Sequence, residues 1–228
     1  GADKMAREIM LGAIKGSAPD MSKNLSNKEI LFFLKNNLNK KMEKVLSADP
    51  DLILVADIYN SIFKNEQRKK EYFRKKDNSI IDFFSNIASQ NKCYIAYSNI
   101  MYLKDDNLRN YMQIINRKGE VFGTYTKSFP IIREFGRNNS CGKEPLFLNC
   151  DFGSIVCAIC EDNSCNEVRI KCANMKPDIL LFPFMKNYEL LEGYWAYSSQ
   201  SFFIGAVEGE GPIYILSPLG DKIATSSI

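Results

Sequence analysis

The sequence predicts an α/β protein in which sheet strands are covered by helices. Short apolar runs alternate with amphipathic helical segments, an order typical of this class. Two of the runs, Ser154 to Cys160 and Asp178 to Phe182, are apolar without polar alternation, so both faces of these strands should be covered. The 228 residues, 45% of them hydrophobic, suffice to bury a sizeable core.

In the first half of the chain we expect five strands and two or three helices. Asn27 to Ser47 should be a helix because apolar residues recur on one face, and the sequence Ala48-Asp49-Pro50 should end it. Glu66 to Gln90 should form one or two helices. Short apolar runs predict the strands Ile9 to Ile14, Leu52 to Ala56, Tyr94 to Tyr97, Tyr111 to Asn116 and Val121 to Thr126.

The second half should continue the alternation. Helices are expected at about Asn166 to Asn174 and at Leu190 to Gln200. Strands are predicted at Ser154 to Cys160, Asp178 to Phe182, Phe203 to Val207 and Ile213 to Ser217. This order indicates a sheet that helices protect.

The composition argues against several classes of partner. With 30 basic and 27 acidic residues, the net charge of +3 gives no field strong enough to indicate nucleic acid or a membrane surface. The basic run from Arg68 to Lys76 is interleaved with acidic residues, and we interpret it as the solvated face of a helix. No apolar run reaches the roughly 18 residues that a membrane span needs.

The chain contains seven cysteines and no histidine. An odd number of cysteines scattered through apolar stretches argues against a secreted disulfide framework, so we expect a reducing compartment, the cytoplasm. The absence of histidine excludes Ser-His-Asp and Cys-His catalysis as well as histidine-bound zinc. Acid–base chemistry must therefore use carboxylates, lysine, cysteine or tyrosine.

Three chemically capable side chains follow predicted strands. Cys160 ends a buried strand, where sites form in α/β sheets, and the N–H of Glu161 could face a developing oxyanion. Lys127 and Asp57 also stand near strand ends. Each has an ordinary alternative, since free cysteine is commonly a core residue and Lys127 alone is typical of a surface lysine. The position of Glu134 does not by itself indicate a catalytic function.

The pair Cys157 and Cys160 has the spacing of a dithiol redox or metal motif. An all-apolar strand argues against metal ligation, and strand alternation puts the two sulfurs on opposite faces. A dithiol function is therefore the weakest hypothesis, and we interpret Cys157 as a core residue.

Six short motifs stand in a definite order along the chain. They are Pro50 to Asp57; Gly123-x-Tyr125-x-Lys127; Lys127 to Pro130 followed by Glu134; Cys160-Glu161-Asp162 with Glu167; Lys176 to Pro183; and Ser217-Pro218-Leu219-Gly220. Their joint order and spacing, from about Arg7 to Ala224, resemble the nitrilase or carbon–nitrogen hydrolase superfamily. No single motif is specific.

The resemblance implies a four-layer α-β-β-α sandwich, with residues 1–228 forming a single domain. It also implies a homodimer or higher homo-oligomer joined through helices on one face. We expect residues 1 to about 6 to be a tag or leader remnant, and the family's last strand and tail to be missing.

The resemblance further implies a chemistry. Cys160 would attack the carbon of an amide or a nitrile, and the carboxylate of Asp57 would act as the base. Lys127 would stabilise the tetrahedral intermediate, and Glu134 would orient the lysine or the substrate. The expected partner is a small-molecule amide or nitrile, and the expected chemistry requires no metal or organic cofactor.

Departures from the family pattern leave an alternative open. Asp57 replaces a glutamate and is shorter by about 1.5 Å, and a misplacement of about 1 Å can cost on the order of 100-fold in rate. Glu161 replaces an aromatic residue and would oppose thiolate formation if it faced Cys160. The alternative is a catalytically degenerate nitrilase-fold protein that acts as a binding or scaffold module. The pocket is expected to include Glu161, Met185, Lys186, Asn187 and Tyr188.

Overall fold

Two β-sheets, each covered by helices, make up the described part of the protein. The computed structural model describes residues 8–16, 25–57, 62–63, 65–75, 78–102, 108–129, 141–184, 186, 188–209 and 211–226. Three residues predicted from the sequence to serve the site, Glu134, Met185 and Asn187, lie outside these ranges. Within them, none of the helices is long and apolar enough to cross a membrane.

The first sheet has the strand order β1-β2-β3-β4-β5. Its first three strands are parallel, and the last two run antiparallel to their neighbours. The strands are β1 (Leu11–Ile14), β2 (Leu52–Val55), β3 (Tyr94–Tyr102), β4 (Leu108–Ile115) and β5 (Val121–Thr126). The carboxyl ends of β1, β2 and β3 therefore lie at one edge.

Three helices cover the outer face of this sheet: α1 (Asn27–Leu46), α2 (Glu66–Arg74) and α3 (Ser79–Asn91). A capping box begins α1, since the Ser26 hydroxyl accepts from the N–H of Glu29 and the Glu29 carboxylate accepts from the N–H of Ser26. The long helical stretch predicted at Glu66 to Gln90 is two helices. Side chains of α1 at helical spacing enter the core, namely Ile30, Leu34, Leu38 and Met42.

The second sheet has the order β11-β10-β9-β8-β7-β6, with β7, β8 and β9 parallel. Its strands are β6 (Leu146–Asn149), β7 (Ser154–Cys157), β8 (Ile179–Phe184), β9 (Phe202–Val207), β10 (Tyr214–Leu216) and β11 (Lys222–Thr225). Helices α4 (Asn166–Asn174) and α5 (Glu189–Ser199) pack on its outer face, where Trp195 contacts Phe182.

The two sheets pack face to face, which confirms the predicted four-layer α-β-β-α sandwich. Successive side chains of β2 alternate between layers: Ile53 and Val55 join the core beneath the helices, while Leu54 joins the core between the sheets. Ile155 and Leu181 of the second sheet meet that inner core. This double coverage explains why the central strands are apolar without alternation.

The sequence pattern did not predict two of the strands, and it predicted one strand to extend further than it does. The prediction that Ser154 to Cys160 is all strand is wrong at its end, because β7 stops at Cys157 and the chain turns sharply at Cys160. The missed strands are β6 and β11. All four residues of β11 are exposed at the sheet edge, so the pattern of burial that predicts a strand is missing.

An arginine clamp joins the two sheets at the end opposite the parallel carboxyl ends. Arg117, in the β4–β5 turn, donates to Asp51 before β2 at 2.6 Å and to Asp151 in the β6–β7 turn at 2.7 Å. Its guanidinium also lies near the rings of Tyr94 and Phe152. Burial alone would lower the pKa of Arg117, but the two carboxylates raise it. The clamp thereby fixes the register of one sheet over the other.

Helix α5 carries a buried carboxyl. Glu192 is fully buried; its Oε1 accepts from the N–H of Tyr188 at 2.8 Å, and its Oε2 has no hydrogen-bond partner in the described structure. Burial raises the pKa of Glu192 from 4.5 to about 7.

Between these two pKa values the folded chain holds a proton that the unfolded chain has lost, so stability should fall as pH rises from 4.5 to about 7. Glu192→Gln should remove this loss and gain up to about 3 kcal/mol above that window, relative to the native chain. Urea unfolding across pH measures the difference, and the exposed Glu144→Gln is the control. A pH-independent difference would contradict the assignment.

Candidate active site

Cys160 lies in a sharp turn beyond β7. The backbone leaves the sheet after the N–H of Ala158 donates to Leu181, and Cys160 adopts a φ of +48°, in the left-handed region that non-glycine residues rarely occupy. A short 3₁₀ turn, Cys160–Ser164, follows. A strained turn at a strand end projects its side chain away from the sheet, as a nucleophile requires.

A buried aspartate holds this turn against β5. Asp162 is fully buried, and its carboxylate accepts from the Tyr125 hydroxyl at 2.7 Å, the N–H of Ile159 at 2.9 Å and the N–H of Phe129 at 2.8 Å. Burial raises the pKa of Asp162 to about 6, while these hydrogen bonds oppose the rise. Ile159 directly precedes Cys160, and Phe129 lies two residues after Lys127. The Asp162 carboxylate therefore positions the segment that carries Cys160 and the segment that carries Lys127.

Lys127 comes directly after β5 and is buried, with 5% of its side chain exposed. Its backbone N–H donates to Asn110 at 2.9 Å, and its carbonyl accepts from Gly142 at 2.8 Å. Its ammonium forms an ion pair with Glu161, at 2.5 Å from Oε2. The lysine expected to stabilise an oxyanion is therefore already paired with a carboxylate.

Asp57 follows β2 at the same edge of the molecule, beside a glycine that the sequence reasoning missed. A Cβ on Gly16 would lie 1.9 Å from the carbonyl oxygen of Asp57, so only glycine allows this approach. The N–H of Gly16 also donates to the carbonyl of Val207 at 3.2 Å. Gly16 thus brings the end of β2 close to the end of β9.

Glu208 is a second residue that the sequence reasoning missed. It follows β9 directly, has 4% of its surface exposed, and donates its N–H to the carbonyl of Phe184 at 2.9 Å. A signal was present in the sequence, since Glu208 follows a buried apolar strand just as Asp57 follows β2.

The charges around Cys160 oppose its ionisation. Burial raises the pKa of the thiol well above its ordinary value, and the carboxylates of Glu161, Asp57 and Glu208 raise it further, while Lys127 lowers it. The resting side chain is consequently a thiol at neutral pH, and ionisation requires a base or a change in the surrounding charge.

The structure thus brings together four of the predicted site residues: Cys160, Lys127, Asp57 and Glu161. Lys186 and Tyr188 are exposed near the start of α5. A pocket-lining role for these two stays a prediction. In the described residues, cysteine and carboxylate side chains form no group of three or more suited to a metal ion.

The carbon–nitrogen hydrolase family model matches residues 18–209. The chain belongs to this family, and it is a carbon–nitrogen hydrolase in fold and sequence pattern. A search of curated proteins finds no match.

Solved structures with the same fold share little sequence with this chain. Nit3 of Saccharomyces cerevisiae, a member of branch 10 of the nitrilase superfamily, has 18% identity and a TM-score of 0.75, covering 96% of this chain and 85% of its own. A carbon–nitrogen hydrolase of Helicobacter pylori G27 has 15% identity and a TM-score of 0.76, with coverages of 96% and 85%. An amidase of Nesterenkonia sp. has 14% identity and a TM-score of 0.76, with coverages of 96% and 86%.

Replacing Glu161 by glutamine should lower the pKa of Cys160, because Glu161 is the strongest of the charges that raise it and also occupies Lys127. The larger thiolate fraction should speed alkylation by iodoacetamide near neutral pH, on the order of tenfold for the loss of one adjacent charge. Peptide mapping separates Cys160 from the buried Cys93 and Cys172, and Glu144→Gln serves as the control.

An unchanged alkylation rate of Cys160 in Glu161→Gln would show that Glu161 does not act on the thiol. A parallel rise at Cys93 or Cys172 would instead indicate a loosened fold.

Proposed function

We propose that this protein hydrolyses a non-peptide carbon–nitrogen bond of an amide-type substrate, the sandwich acting as a single catalytic domain. The observation that carries the proposal is the convergence of Cys160, Lys127 and Asp57 at the carboxyl ends of three different strands. A thiol, an ammonium and a carboxylate are the groups that acyl transfer through a thioester requires.

In the proposed mechanism Asp57 accepts the thiol proton as Cys160 Sγ attacks the carbonyl carbon. The C=O electron pair moves to oxygen, where Lys127 and the N–H of Glu161 stabilise the negative charge. The C–N bond then breaks, the nitrogen takes the proton from Asp57, and ammonia or an amine leaves a thioester. Asp57 next deprotonates water, which attacks the thioester and releases a carboxylic acid and the thiol.

Two features of the site agree with this sequence of steps. The raised pKa of Cys160 means that proton transfer must accompany attack, which calls for a base beside the sulfur. The positive φ of Cys160 places its N–H and that of Glu161 at the start of a turn, where backbone donors can face an oxyanion.

A structural neighbour supports the choice of nucleophile. In one structure of a mutant of the amidase from Nesterenkonia sp. AN1, acrylamide has undergone Michael addition at the active site cysteine. In a structure of a second mutant of that amidase, the acetamide moiety of fluoroacetamide is attached covalently to that cysteine. By analogy we propose Cys160 as the residue that such amide reagents would modify.

A second candidate function is a non-catalytic binding or scaffold protein. The Lys127–Glu161 ion pair favours this alternative, because it occupies the cation that an oxyanion needs. So does the shorter carboxylate of Asp57, which has less reach than a glutamate.

Ammonia release from a panel of short amides and nitriles tests the catalytic proposal. Cys160→Ala should lower turnover by at least about 1000-fold, because the thioester cannot form. Lys127→Met should also lower kcat, whereas Glu144→Gln, at an exposed position, should leave it unchanged.

If the native chain turns over none of these compounds while Asp57→Glu does, the non-catalytic alternative holds. Activity that survives Cys160→Ala would overturn the assignment of the nucleophile.

We further propose that the chain forms a homodimer through α5. Leu190, Tyr194 and Tyr197 recur at helical spacing on this helix and are exposed, Leu190 at 88%. Such an apolar stripe marks an association surface.

Light scattering should give about twice the 26.0 kDa of the chain. Leu190→Glu combined with Tyr194→Glu should reduce the mass to that of a monomer, whereas Phe32→Glu on the exposed face of α1 should not. A monomeric native chain would contradict the proposal.

A further inference from the structure

A buried serine lies on the sheet surface that faces Cys160. Ser98 has 3% of its surface exposed, and its Oγ has no hydrogen-bond partner in the described structure. Buried hydroxyls are nearly always hydrogen-bonded, so this one calls for an explanation. We propose that Ser98 binds the substrate, and that the site selects amides with a neutral hydrogen-bonding oxygen on a short acyl chain. The inference rests on the proposed hydrolase function and specifies its substrate class.

Strand pairing fixes the direction of the Ser98 side chain. Ser98 pairs with Met112 of β4, and Met112 pairs with Tyr125 of β5. Directly paired residues share a face of the sheet, and both Met112 and Tyr125 belong to the core between the two sheets. Ala96, two residues before Ser98, belongs to the same core. The Ser98 hydroxyl therefore points between the sheets and not toward the helices.

The same inner core touches the nucleophile candidate. Cys160 packs against the core that includes Met112 and Tyr125. The Tyr125 hydroxyl donates to the carboxylate of Asp162, two residues after Cys160, at 2.7 Å. Ser98, Met112 and Tyr125 thus form a row across three strands, and one end of this row is tied to the turn that contains Cys160. Packing and strand register, not charge, connect Ser98 with the site.

Ser98 also lies between the two sides of the proposed site. In the first sheet, β3 and β4 separate β2, which leads to Asp57, from β5, which leads to Lys127. Ser98 comes directly after Tyr97, the last residue of β3 that pairs with β2. It is therefore level with the end of β2, from which the chain continues to Asp57. The hydroxyl stands on the sheet surface between the proposed base and the proposed oxyanion donor.

The proposed mechanism leaves the acyl chain of the substrate without a polar contact. Lys127 is assigned to the carbonyl oxygen, and Asp57 to the protons of the sulfur and the leaving nitrogen. The neighbours of Ser98 on the inner face, Ala96 and Met112, are apolar. One hydroxyl in such a surface can satisfy a neutral polar atom but cannot compensate for the burial of a charge. Facing sheets lie about 10 Å apart, which leaves room only for a short acyl chain.

Two amides of nearly equal size test the selectivity. Lactamide carries a hydroxyl where isobutyramide carries a methyl group. The ratio of kcat/KM for the better enantiomer of lactamide to kcat/KM for isobutyramide should fall about tenfold in Ser98→Ala, as loss of one buried hydrogen bond would give. The matched control is Ser199→Ala, which removes another buried hydroxyl without a partner, at the end of α5. This control should keep the native ratio.

A second measurement does not depend on turnover. Each amide competes with iodoacetamide for Cys160 and thereby slows its alkylation, which peptide mapping follows with the buried Cys93 as reference. Half-maximal protection should need about tenfold less lactamide than isobutyramide in the native chain. Ser98→Ala should need equal amounts of the two amides, whereas Ser199→Ala should behave as the native chain.

Urea unfolding tests the premise that the hydroxyl has no partner within the protein. Ser98→Ala should be at least as stable as the native chain, because no hydrogen bond is lost with the hydroxyl. A destabilised Ser98→Ala would show that Oγ is bonded within the protein and would overturn the inference.

The remaining outcomes separate the two proposals. Amide turnover with the native ratio retained in Ser98→Ala would overturn the inference and leave the hydrolase function standing. An equal fall in kcat for both amides would also overturn it, because the hydroxyl would then act on the reaction and not on the acyl chain. Preferential protection by lactamide that Ser98→Ala removes, without turnover of any amide, would support the selectivity and overturn the hydrolase function. Neither protection nor turnover with lactamide would overturn the substrate class.

Discussion

The site depends on the hydrogen bonds of one buried carboxylate. Asp162 accepts from a β5 side chain, Tyr125, and from two backbone N–H groups, at Ile159 and Phe129. These donors belong to different sheets. The Asp162 carboxylate therefore fixes the turn that contains Cys160 relative to β5, which leads to Lys127. A buried carboxylate is costly unless it is well hydrogen-bonded, so the packing around Asp162 tolerates few arrangements. That constraint accounts for the close placement of Cys160, Glu161 and Lys127.

Much of the fold could be predicted because its signals are local. Central strands covered on both faces are continuously apolar, and α1 repeats its apolar residues at helical spacing, so their positions follow from short windows of sequence. Edge strands lack such signals: β11 is exposed throughout, and its pairing with β10 is set by the preceding turn. The end of β7 was misplaced for a related reason, since the turn at Cys160 depends on hydrogen bonds to Asp162 that no local pattern encodes.

The candidate site was predictable in part, because its members share a position. Cys160, Lys127 and Asp57 each come soon after a buried strand, and the carboxyl ends of such strands meet. Glu208 obeys the same rule but stands outside the six motifs that carry the family resemblance. Gly16 could not have been found, since its role is a contact with the distant carbonyl of Asp57. Non-local contacts of this kind exist only once the sheets are assembled.

The Lys127–Glu161 ion pair limits how the proposed reaction can proceed. A neutral carbonyl oxygen competes poorly with a carboxylate for an ammonium, so Lys127 would turn to the substrate only as charge develops on that oxygen. Leaving Glu161 without a partner in a partly buried site would then cost part of the gain. The excess of acid at the site and the occupied lysine are thus two aspects of one electrostatic arrangement.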